Sequence, residues 1–167
     1  MAPIKLSKTE EAYLYIVKKS EYNVNFGKTL FWKILYFSDF DFYERHERPI
    51  TSNVYCKAPL GPAPLNFDRT ISKLKNEGYL VEKHANRNGM PQIKYYVVAN
   101  FEIVSLETEE IQEIDRNIKR LEGMTATQVS AYSHQDMPYK ATKKGEKIDF
   151  ELVFYRNPMF SVQNAKN

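Results

Sequence analysis

The sequence predicts one α+β domain, predominantly α, in which an aromatic central helix is packed by surrounding helices and a winged-helix-like β-hairpin lies to one side. Three observations carry this. The chain has 167 residues, 43% of them hydrophobic and 27% charged, enough for roughly 70% of the unfolded surface to be buried in a single domain. The stretch Lys28-Thr-Leu-Phe-Trp-Lys-Ile-Leu-Tyr-Phe-Ser-Asp39 puts apolar residues on every side of a helical wheel, so the rest of the chain must enclose it. Asn88-Gly89 separates two runs that alternate with a period of two, the pattern of a tight hairpin. The domain is expected over residues 1–156, with a frayed C-terminal tail at 157–167.

In chain order, Ser7 and Glu10 form a capping box, and Ala12, Ile16, Val17 and Ser20 recur at helical spacing, which predicts a first helix over about 8–21. Gly27 opens the central helix, which ends near Arg45. From Pro49 to Leu65 the chain is expected to be extended, with a short strand at 53–57. The prolines Pro59, Pro62 and Pro64 around Gly61 forbid a helix there. A third helix over 66–77 turns Phe67, Thr70, Ile71 and Leu74 to one side and stops at Gly78. The hairpin follows, with strands at 79–84 and 92–98. A fourth helix from Thr108 carries Ile111, Ile114, Ile118 and Leu121 on one face, acidic residues in its first turn and Lys119 and Arg120 in its last. Thr125 and Gln128 cap a fifth helix that runs to about His134. Residues 148–155 read as a strand or a short helix.

Composition excludes several functions. With a single cysteine, Cys56, there is no intramolecular disulfide and no cysteine-based metal site. No window is long and apolar enough for a membrane span, and a cytoplasmic location is expected. None of the six glycines falls in a dinucleotide or Walker pattern. Cys56, His46, His84 and His134 have no metal-ligand spacing, and no nucleophile elbow is present. No cofactor is expected. Asp39 and Asp41 are about 200° apart on the helical wheel and cannot act together on one substrate; one is expected to hydrogen-bond a neighbouring helix and the other to meet solvent.

Two binding readings stay open. The order helix, helix, strand, helix, hairpin parallels a winged helix, in which 66–77 is the recognition helix and Arg69, Lys73, Lys75, Arg87 and Lys94 meet DNA phosphates. A net charge of +3 is a thin footprint for that role. Lys140, Lys143, Lys144 and Lys147 form either a solvated face or a surface for an acidic partner.

Three segments together carry a family resemblance. The Lys-x-x-Phe-x-Lys-Ile-Leu-Tyr-Phe-Ser-Asp helix, the Ala58-Pro-Leu-Gly-Pro-Ala-Pro64 loop and Ser133-His-x-x-x-Pro-Tyr-x-x-Thr142 resemble, in order and spacing, the Panacea domain of SocA-like antitoxins over about residues 6–156. The chain departs from the family where it has Leu60-Gly61-Pro62 for Tyr-Gly-Pro and Pro138-Tyr139 for Pro-Trp. The resemblance implies a non-enzymatic antitoxin that neutralises the toxin of a neighbouring gene by direct protein–protein binding. Some relatives are associated with phages, and one kind is an adaptor that delivers its toxin to a protease. The alternatives are therefore such an adaptor or a winged-helix-like DNA-binding regulator of its own operator. On the toxin-binding reading, the expected partner-binding residues are Gly61, Pro62, Arg87, Asn88, Met90, His134, Pro138 and Tyr139. The sequence does not fix the oligomeric state.

Overall fold

The computed structural model describes residues 5–163. Its elements are α1 (Lys8–Ser20), α2 (Lys28–His46), β1 (Tyr55–Ala58), β2 (Gly61–Pro64), α3 (Phe67–Asn76), β3 (Leu80–Arg87), β4 (Met90–Val97), α4 (Thr108–Leu121), α5 (Ala126–His134), α6 (Met137–Lys140) and a 3₁₀ helix over Phe150–Tyr155. The α+β class holds: helices surround two separate antiparallel hairpins, β1–β2 and β3–β4.

α2 is enclosed, as its wheel requires. It packs against α4, β2, α5 and the 3₁₀ helix, and Leu30, Phe31, Ile34, Leu35, Tyr36, Phe37, Phe40 and Phe42 are all buried. The core is largely aromatic. Phe31 meets the rings of Tyr13, Phe26, Phe67 and Tyr95, and Phe40 stacks on Phe150. Each buried ring contributes about 1.5–3 kcal/mol through area alone, and its edge-to-face neighbours add to this.

The termini of the elements follow local chemistry. Both arms of the Ser7–Glu10 capping box are made, as are those of Thr125–Gln128. α3 ends in a Schellman motif: Tyr79 N donates to Leu74 O, Gly78 N donates to Lys75 O, and Gly78 sits at φ +84°. Asn88 and Gly89 both have positive φ, as a two-residue primed turn requires. Glu11 is buried and accepts from the backbone N–H groups of Val104, Ser105 and Leu106, tying the approach to α4 onto α1.

Four expectations need correction or refinement. The proline-rich stretch is a hairpin, β1–β2, closed by a two-residue turn at Pro59-Leu60. Pro62 and Pro64 sit opposite Lys57 and Tyr55, at alternate positions whose nitrogens are not asked to donate to β1. On its other edge, β1 bonds to 145–148 through Lys57 N to Glu146 O, Gly145 N to Lys57 O and Ile148 N to Tyr55 O.

Neither Asp39 nor Asp41 meets solvent. Asp39 accepts from Ile50 N, Thr51 N, Thr51 Oγ1 and Tyr55 OH, while Asp41 pairs with Arg120 and Arg156. Burial raises the Asp39 pKa, against the pull of those four donors. Within residues 148–155 the chain forms a 3₁₀ helix over Phe150–Tyr155, with Asp149 as its side-chain cap.

The tail does not fray through residue 163. Phe160 is 2% exposed and packs on Phe37 and Tyr132, and Ser161 Oγ and the side chain of Gln163 donate to Glu44. Residues 164–167 lie outside the described part. Ahead of this segment, fully buried Arg156 binds Asp41, Glu44 and Asp136 at 2.8, 3.0 and 2.7 Å. Tyr36 OH completes that cluster by donating to Asp136 at 2.8 Å.

Candidate functional site

The β1–β2 turn is held by side chains of the C-terminal helices. Three successive carbonyls are engaged: Ala58 O accepts from Tyr139 OH at 2.7 Å, Pro59 O faces His134 Nε2 at 3.0 Å, and Leu60 O accepts from Ser130 Oγ at 2.7 Å. Ser130 and His134 are four residues apart on α5, so both reach one edge of the turn. The other His134 ring nitrogen, Nδ1, lies 2.5 Å from Ser130 O. The turn is thereby fixed to α5 and α6 without a backbone ladder between them.

Beneath the turn, Gly61 has φ +113° and lies between two side chains. A Cβ there would meet Ser133 Oγ at 2.4 Å and Lys33 Cε at 2.8 Å. Only glycine satisfies both the backbone angle and the space. Lys33 is fully buried in α2 and donates to Pro62 O at 3.3 Å, with no carboxylate partner among the described residues. Burial lowers its pKa to about 7. Trp32 stands beside it: its ring is 5.6 Å from Lys33 Nζ and 5.4 Å from Lys28 Nζ, and its buried Nε1 has no partner.

Above the turn is an open groove of about 680 Å³. One wall is the face of α5 formed by Ala126, Thr127, Ser130, Ala131 and His134, and the opposite side carries Leu60, Met90 and Pro91. Leu60 is 60% exposed and Met90 67%. Their side chains are the apolar groups least satisfied by the fold in this region. A second cavity of about 300 Å³ shares Thr29, Pro91 and Ala126 with the groove and is lined also by Lys28 at the start of α2 and His84 of β3.

The expected binding residues divide into three sets. Met90 and His134 face the same groove. Arg87 and Asn88 are exposed at the hairpin end, with Arg87 Nη2 bonded to Asn25 Oδ1. Gly61, Pro62, Pro138 and Tyr139 are buried and shape the turn and its support. Leu60, Pro91, Ala126 and Ala131 were not singled out by the sequence, because only tertiary structure brings the turn, the hairpin tip and α5 together. Lys33 was not singled out either; the available signal was a cation set among Leu30, Phe31, Trp32, Ile34 and Leu35.

Other chemistry is thinly supported. Among the described residues, no group of three His, Cys, Asp or Glu side chains could hold a metal ion. Cys56 is half-buried, and burial raises its thiol pKa, away from a reactive thiolate. Of the five cations a winged helix would turn to DNA, four have internal partners. Lys73 pairs with Glu10 and Glu77, Lys75 with Glu82, Arg87 bonds Asn25, and buried Lys94 donates to Asn23 O and Phe26 O at 2.8 Å.

Comparison with known proteins adds one match. The family model described as antitoxin SocA-like, Panacea domain, matches residues 31–140, which include α2 from Phe31 onward, both hairpins and the α5–α6 clamp. No curated protein and no solved structure matches the chain.

Proposed function

Since this chain belongs to the antitoxin SocA-like, Panacea domain family, we propose that it is an antitoxin that masks a protein toxin by stoichiometric, non-enzymatic binding in the cytoplasm. The observation that carries the direct-binding part is the groove between the β1–β2 turn, α5 and the β3–β4 tip. It is solvent-open, about 680 Å³ in volume, and presents Leu60 and Met90 without an internal partner. A partner side chain seated there is desolvated on several sides, the setting in which a few residues dominate binding energy. The clamped turn adds rigidity, so little ordering entropy is lost on association.

An interface of order 1,600 Å² extends well beyond the groove. The expected contact set is the exposed hairpin end Arg87, Asn88 and Met90 together with His134. Gly61, Pro62, Pro138 and Tyr139 act from beneath by holding the turn in place.

The test is a growth assay with the product of the adjacent gene placed under an inducible promoter. Co-expression of this chain is expected to restore growth, and the two proteins are expected to co-purify at a fixed ratio. A harmless neighbour that forms no complex would sink the reading.

A further inference from the structure

The groove is electrostatically one-sided. No aspartate or glutamate lines it or the second cavity, whereas Lys28, His84 and His134 do. Lys28 is offset by Asp68 at 3.2 Å. Beyond His134 a cation follows: the Tyr139 ring lies 4.6 Å from the His134 ring, and Lys57 Nζ stands 4.5 Å over Tyr139.

β1 then pairs with 145–148, which brings the segment carrying Lys140, Lys143, Lys144 and Lys147 beside Lys57. Those four lysines are exposed. None of the five ammonium groups forms an ion pair among the described residues. Glu146 is the one carboxylate in the stretch 140–147. The groove at Leu60 thus has, along the same hairpin, a lysine edge that forms no ion pair among the described residues. Lys73, Lys75, Lys94 and Arg156, by contrast, are taken up internally.

Building on the antitoxin reading above, we infer that the toxin presents to this face an acidic segment carrying an apolar anchor. The anchor seats between Leu60, Met90 and Ala131, and its flanking carboxylates lie over Lys57, Lys143 and Lys144. The two parts have different duties. The lysine edge accelerates encounter and is screened by salt, while the apolar seat sets the dissociation rate and is not.

The experiment measures binding of the purified chain to the adjacent-gene product at 50 and 500 mM salt. Lys143→Glu/Lys144→Glu is expected to weaken affinity at least tenfold at low salt, with the difference from wild type closing at high salt. Ala131→Trp fills the groove and is expected to weaken affinity at least tenfold at both salt concentrations. A charge-matched control remote from the groove, Lys19→Glu/Lys119→Glu, is expected to bind like wild type, and melting temperatures verify that every variant is folded.

Folded variants that all bind within twofold of wild type, while wild type still restores growth, would overturn the site and leave the antitoxin reading standing. Failure of wild type itself to restore growth or to bind would remove both. Loss of duplex DNA binding in the lysine variant, with toxin affinity unchanged, would overturn the inference by assigning the edge to nucleic acid.

Discussion

Lys33 is the residue whose position is hardest to explain by stability. Its amine is buried, offered one carbonyl, and has its pKa lowered to about 7. An unfolded lysine titrates near 10.4, so between those values the unfolded chain binds the additional proton and stability rises with pH. Below about pH 7 the full penalty is present. We predict that Lys33→Met stabilises the protein by roughly 1–3 kcal/mol at pH 7, less than the full shift implies because Pro62 O loses its donor. Urea unfolding from pH 6 to 10 should show a rising wild-type profile and a flatter variant profile. Gly61→Ala is the opposite case. With φ at +113° and Ser133 Oγ 2.4 Å from the added carbon, it should cost about 2 kcal/mol or more, and thermal unfolding checks this. The sequence did not single out Lys33. The absence of a carboxylate around it depends on α2, β2 and α5 meeting, which no local pattern encodes.

At the scale of elements, legibility followed locality. Capping boxes, a glycine cap and an Asn-Gly turn act within a few residues, so the helices and the β3–β4 hairpin could be placed from the sequence. The β1–β2 hairpin was hidden because its strand residues include Pro62 and Pro64, which normally argue against pairing. Their spacing of two was the available signal, since alternate residues of an antiparallel strand need not donate inward. The turn it forms depends on α5 and α6. Tyr139→Phe removes the hydroxyl that binds Ala58 O and should cost about 1 kcal/mol. Amide exchange should speed up locally in 56–61 while α4 is unaffected. The seating of residues 157–163 was hidden for a related reason: Phe160 reaches a core more than a hundred residues earlier in the chain, at Phe37. Deleting residues 158–167 removes a buried phenyl ring and is expected to cost about 3 kcal/mol, readable as a lower urea midpoint.

Across the whole molecule, the family match at 31–140 is narrower than the cooperative unit. Asp41, Glu44 and Asp136 are buried carboxylates whose shared cation, Arg156, lies outside that range. α1 also lies outside it, with Tyr13, Leu14, Ile16 and Val17 in the same core. An isolated 31–140 fragment would leave Glu44 without its cation, Asp41 with Arg120 alone and Asp136 with Tyr36 alone, and would open the aromatic face of α2, losses comparable with the stability of an ordinary domain. We predict that the fragment lacks the near-ultraviolet dichroism of packed aromatic rings, whereas residues 5–163 show it. Trp32 is the chain's single tryptophan, so emission excited selectively in tryptophan comes from one indole standing 5.6 Å from the Lys33 amine. Loss of a proton from that amine should register as a step in emission near neutral pH. Such a step would be an optical titration of one buried group, unlabelled and in solution, and a partner settling over the β1–β2 turn is expected to shift its midpoint.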